Sequence, residues 1–182
     1  MLGRPQQPGP PPIGFPDFGS LFGRRGNGAP ALASATGAPG TELVIEGSWF
    51  HVGIEAKPDN RYAYFIESTT AERGGPVGAA WLTTVYERTY PDGASSTAYR
   101  VRVDCASGRW ADQYEGVRDA GFRVLRANAP DRSWRPPVLD AQSPIARVRA
   151  FVCDNASPGT PLPAEVPGPA DWARRWFAEN PR

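Results

Sequence analysis

Two elements that each end in a cysteine constrain this chain more than anything else in it. In Ala98-Tyr99-Arg100-Val101-Arg102-Val103-Asp104-Cys105, one parity holds Tyr99, Val101, Val103 and Cys105, and the other holds Arg100, Arg102 and Asp104. A period of two marks a strand with one buried and one wet face. In Ser143-Pro144-Ile145-Ala146-Arg147-Val148-Arg149-Ala150-Phe151-Val152-Cys153, the residues Ile145, Val148 and Val152 recur at helical steps. Ser143 suits an N-cap and Pro144 the first helical position. An apolar strand face and an apolar helix face thus carry one thiol each. The expected domain is a sheet with a helix pinned across it.

The remaining strands follow from patterning. Trp49 to Glu55 reads as a first strand with Phe50, Val52 and Ile54 on one parity, introduced by Leu43, Val44 and Ile45. Tyr62 to Glu67 is a second. Val77 to Tyr86 is apolar on both parities, which places it centrally with both faces covered. The Cys105 strand is the fourth, and Arg109 to Glu115 returns as a fifth through Ala106-Ser107-Gly108. A two-residue turn there puts Trp110 opposite Cys105; a three-residue turn with a bulge reverses the faces. Gly116 and Gly121 bracket a turn before a sixth strand over Phe122–Leu125. Every connection is short, so the sheet is an antiparallel meander. The fold class is α+β, mainly β: about six strands and a C-terminal helix held across one face. Ala129-Pro130-Asp131 and Trp134-Arg135-Pro136-Pro137 lead extended into the helix.

Composition separates the ends from this unit. Gly and Pro number 20 and 21 of 182 residues and concentrate at the termini. Residues 1–40 read as a Pro/Gly-rich disordered tail, a reading preferred to a short docking motif of Phe15, Phe18, Leu21 and Phe22 followed by Arg24-Arg25. Residues 41–156 form the sheet-plus-helix domain. Residues 157–182 are a Pro-rich linker and a short helix carrying Trp172 and Trp176 four apart on one face. That helix, 170–179, suits peripheral membrane contact or a partner, but its low cationic charge favours covering an apolar patch of its own sheet.

The chemistry is sparse. Net charge is +1, which gives no long-range attraction to nucleic acid. Aromatics and arginines on a sheet face suggest RNA-binding sheets, but those need crossover helices that this strand order lacks. His51 is the only histidine, and the two cysteines are far apart with no CxxC, so no metal set forms. His51 and Glu55 share strand parity at a distance. A Cys105–His51 pair oriented by Asp104 fails because Asp104 and Cys105 point to opposite faces. No phosphate loop, nucleophile elbow or carboxylate pair is present. No catalytic, cofactor or metal residue is expected. Asn155-Ala156-Ser157 fits a glycosylation sequon. Cys105 and Cys153 would pair in an oxidising compartment and stay apart in cytosol. Residues 1–8 contain no apolar signal segment, so export would be encoded elsewhere.

Taken in order, these pieces form a pattern. Trp49 opens the domain, Phe65-Ile66-Glu67-Ser68 follows, and Trp81 sits in the third strand. Then come Val103-Asp104-Cys105, Arg109 and Tyr114, Trp134-Arg135-Pro136, and a terminal Val152-Cys153. Over about residues 48–154 this resembles the surface-adhesin protein E family of bacterial envelope proteins. The resemblance implies an antiparallel sheet with a helix tethered by a Cys105–Cys153 disulfide. It implies export to the periplasm or cell surface, and binding of protein partners such as extracellular-matrix proteins. A second copy of the chain is among the candidate partners. The chain departs from the family in Glu67, where Asp is frequent, and in its C-terminal Trp helix. The expected function is that of a non-enzymatic envelope protein that binds macromolecules. The alternative is a small-ligand-binding or enzymatic domain using the aromatic concave face of the sheet.

Overall fold

The structure, a computed structural model, describes residues 47–128 and 133–182. The tail at 1–40, the Leu43–Ile45 lead-in and the Ala129–Asp131 connector lie outside the described residues. Six strands follow one another as an antiparallel meander: β1 (Trp49–Ala56), β2 (Arg61–Glu72), β3 (Val77–Tyr86), β4 (Ser96–Asp104), β5 (Trp110–Arg118) and β6 (Val124–Asn128). Helix α1 (Pro144–Asp154), a two-residue strand β7 (Thr160–Pro161) and helix α2 (Pro169–Glu179) complete the described chain. β7 adds to the free edge of β1, so the sheet order is β6-β5-β4-β3-β2-β1-β7. The expected mainly-β α+β fold is observed, with the seventh strand drawn from the Pro-rich linker.

β3 is apolar on both parities because each of its faces is covered by a helix. On one face α1 buries Ile145, Val148, Phe151 and Val152 against Ile66, Leu82, Val101, Val103 and Trp110. Ser143 caps it by accepting from the Ala146 N–H at 3.1 Å, and Pro144 starts it. Asn155 ends it in the left-handed conformation. The helix lies directly on β3, since a Cβ added at Gly78 would sit 2.5 Å from Val152 Cγ2. On the other face α2 buries Ala170, Ala173 and Phe177 against Ala63, Phe65 and Val85. Each such large apolar side chain contributes about 1.5–3 kcal/mol by burial.

Three local expectations are corrected. First, Phe50, Val52 and Ile54 do not share a face. The register shifts between His51 and Gly53, leaving Val52 as an extra residue. Val52 therefore packs on the α1 side and Ile54 on the α2 side. Second, the β4–β5 turn is longer than either form expected from sequence. β4 stops at Asp104, whose carbonyl accepts the Gly108 N–H at 2.8 Å and whose carboxylate accepts the Ala106 N–H at 3.0 Å. Trp110 pairs with Val103 rather than with Cys105. Third, Gly116 lies inside β5 and brackets no turn. The turn is made by Asp119, which accepts from the Gly121 and Arg123 N–H groups, with Phe122 at φ 64°.

Cys105, in the turn after β4, is bonded to Cys153 in the last turn of α1. The bond ties the end of α1 to the end of the sheet nearest Val103 and Gly78. The Trp134–Pro137 connector approaches there too, with Arg135 bridged to Trp110 and its guanidinium 2.9 Å from Asp112 Oδ2.

Candidate functional site

Helix α1 is eleven residues long and covers only one end of its face. At the other end the alternation of β2, β3 and β4 brings tyrosines together. Tyr62 pairs with Tyr86 across β2 and β3, Leu82 pairs with Tyr99 across β3 and β4, and Tyr64 lies two residues along from Tyr62. The β3–β4 loop supplies Tyr90. Five of the chain's six tyrosines thus share one end of one face; Tyr114 lies on the other.

Their hydroxyls are engaged with one another and with neighbours. Tyr62 and Tyr90 share a hydrogen bond of 2.5 Å, and Tyr64 donates to Glu55 Oε2 at 2.5 Å. Tyr86 is hydrogen-bonded to Thr97. The rings meet edge to face: Tyr62 on Tyr86 at 5.5 Å and Tyr86 on Tyr90 at 5.2 Å. Lys57 sits 5.3 Å above the Tyr62 ring. Tyr64 is buried, while Tyr62, Tyr86, Tyr90 and Tyr99 are half-buried and keep part of each ring on the surface.

The protonation state follows from burial. Burial first, then the Tyr90 hydroxyl, holds the Tyr62 phenol well above its ordinary value. Burial, then the Glu55 carboxylate, does the same for Tyr64. Burial pushes Tyr86 up to about 12, and Tyr99 is raised by burial and by Glu115. At neutral pH this surface offers neutral phenols, not phenolates. It presents ring edges, hydroxyls and the Glu55 and Lys57 charges. That suits binding through stacking and hydrogen bonds.

The residues singled out from sequence for catalysis are not brought together. His51 faces α2, where its ring stacks on Trp172, whereas Cys105 is bonded to Cys153 beside α1. The bulge at Val52 also parts His51 from Glu55, whose carboxylate is on the tyrosine side. Among the described residues no group of three or more His, Cys, Asp or Glu is placed to hold a metal ion. No helix among them is long and apolar enough to cross a membrane. Sequence reasoning missed Tyr90, because a lone tyrosine in a polar loop carries no periodic signal. It also missed the tyrosine face as a unit, although the Tyr62, Tyr86 and Tyr99 parities were available to find it. Comparison with protein-family models, curated proteins and solved structures gives no match.

Proposed function

We propose that this chain is a non-enzymatic protein of the bacterial cell envelope, of the surface-adhesin E kind, which binds macromolecular partners through the tyrosine end of its sheet. The observation that carries the reading is the clustering of Tyr62, Tyr86, Tyr90 and Tyr99, half-buried beyond the end of α1. Tyrosine supplies large, rigid contact area with a hydrogen-bonding tip, and is enriched where proteins meet. The Cys105–Cys153 bond supports an oxidising compartment, since such bonds are rare in cytosol. Partners would be extracellular-matrix or envelope proteins, or a second copy of the chain.

The test is surface binding of the full chain to immobilised matrix and envelope proteins, with size-exclusion chromatography for self-association. Tyr62→Ala and Tyr90→Ala should each weaken binding about tenfold or more while the far-ultraviolet circular dichroism stays unchanged. Binding that ignores both substitutions would overturn the assignment of this face. Saturable binding of a small molecule to these tyrosines, with no macromolecular partner found, would favour the small-ligand alternative.

A further inference from the structure

On the opposite face of the sheet, away from the tyrosines, Arg118 at the end of β5 is only 4 % exposed. No carboxylate among the described residues pairs with it. Its Nη2 donates to Thr83 Oγ1 at a long 3.5 Å, and its Nε–H has no acceptor. The Phe122 ring covers the guanidinium, with its centroid 5.3 Å from Cζ. Desolvating an unpaired guanidinium costs several kcal/mol. Two further buried polar groups nearby also lack partners, the Ser96 hydroxyl and the Tyr114 hydroxyl.

These groups share one neighbourhood. Ser96 is the direct cross-strand partner of Arg118. Thr83 pairs with Ala98, and Ala98 with Gly116, so Arg118 reaches Thr83 across a floor of small residues. Tyr114 lies over Gly116: a Cβ there would be 2.8 Å from the Tyr114 hydroxyl. The guanidinium and the hydroxyls of Thr83, Ser96 and Tyr114 are therefore gathered over backbone and methyl groups. Two neighbouring arginines on this face have acceptors of their own. Arg100 holds Glu72, and Arg174 holds the Ala120 carbonyl and Asp171.

We propose that Arg118, Ser96, Thr83 and Tyr114 form a binding site for the carboxylate of a small organic acid. A carboxylate takes two parallel N–H bonds from a guanidinium fork, and its remaining lone pairs accept from hydroxyls. One unpaired cation calls for a monoanion. A phosphate dianion would leave an uncompensated buried charge. Burial lowers the Arg118 pKa to about 10, so the guanidinium stays charged at neutral pH. Entry requires the half-buried Phe122 ring to swing aside, because that ring lies over the guanidinium.

The test follows the arginine Nε–H signals of the 15N-labelled full chain, with Arg118 assigned by its loss in Arg118→Met. Acetate and benzoate are titrated at constant ionic strength, beside acetamide, chloride and inorganic phosphate. A saturable shift of the Arg118 signal with a carboxylate alone is expected, and Ser96→Ala should weaken it about tenfold. Arg118→Met should fold and lose the ligand-induced rise in Tm expected of the parent chain. Saturation by phosphate in place of carboxylates would overturn the carboxylate assignment. The absence of a saturable shift with every probe would overturn the site, leaving buried water as the partner of these groups.

Discussion

The imidazole of His51 stacks on the indole of Trp172, ring centroids 4.3 Å apart and planes 26° from parallel. This pair joins the first strand to the last helix, and Phe65 closes it at 5.6 Å from each ring, edge-on to the indole. Burial lowers the His51 pKa below its ordinary 6.5, against a smaller upward pull from a backbone hydrogen bond with Gly53. Above that value the imidazole is neutral both folded and unfolded, so it adds no pH dependence. As pH falls through it, the unfolded chain takes the proton first and stability drops, until the folded pKa is reached. Tm should therefore fall between about pH 7 and 5. His51→Gln should flatten that part of the profile. An unchanged slope in His51→Gln would remove this role.

Helix α2 is held at its C-terminal end by Arg61. Arg61 Nη1 donates to the Asn180 carbonyl at 2.5 Å and Nη2 to the Phe177 carbonyl at 3.3 Å. Glu87 fixes the same guanidinium through two bonds, at 3.0 and 2.7 Å. A cation at a helix C-terminus answers both its open carbonyls and its dipole. Arg61→Ala should loosen α2 first, seen as faster amide exchange in 173–179 than in β3. Phe177→Ala, which empties a buried site under the same helix, should cost about 3 kcal/mol. Equal exchange in α2 of parent and Arg61→Ala would show that the apolar contacts alone hold it.

The tyrosine face predicts an alkaline limit. The Tyr62, Tyr64, Tyr86 and Tyr99 phenols are all raised in the folded protein, chiefly by burial. Below the ordinary value near 10 both states are neutral. Above it the unfolded chain loses protons that the folded chain keeps, so stability falls as pH rises through about 10. Ultraviolet titration should show most tyrosines ionising only with unfolding. Reversible ionisation of these four phenols near 10 in the folded protein would contradict their placement.

The fold was largely legible because both of its periods are strong. Alternation in Ala98–Asp104 and the three- and four-residue steps of Ile145, Val148 and Val152 each dictate a buried face, and the two faces meet. Val77–Tyr86, apolar on both parities, is covered on both sides. What stayed hidden were shifts of one residue. An unpaired Val52 reverses the faces that follow it, and nothing in Phe50–Ile54 marks that position. Gly116 reads as a turn residue, yet it is small because Tyr114 lies over it. The candidate site was less legible than the fold. Tyr90 and Arg118 act through neighbours distant in sequence, and alternating arginines read as a solvated face until one is seen to be buried.

Both the pinned helix and the proposed envelope location require Cys105 and Cys153 to be paired in the native protein. In the chain-entropy view, closing a loop of 48 residues contributes about 4 kcal/mol by restricting the unfolded chain. Eleven residues of isolated helix are marginal in water, so α1 should loosen before the sheet when the bond is absent. Cys153→Ser should then lower Tm by well over ten degrees, since about 4 kcal/mol is a large share of a domain's stability. The decisive measurement is alkylation of native protein, unfolded without reductant and weighed intact by mass spectrometry. Paired cysteines predict no added alkyl group before reduction and two after it. Two alkyl groups before reduction would contradict the bond, the tethered helix and the export inferred from it.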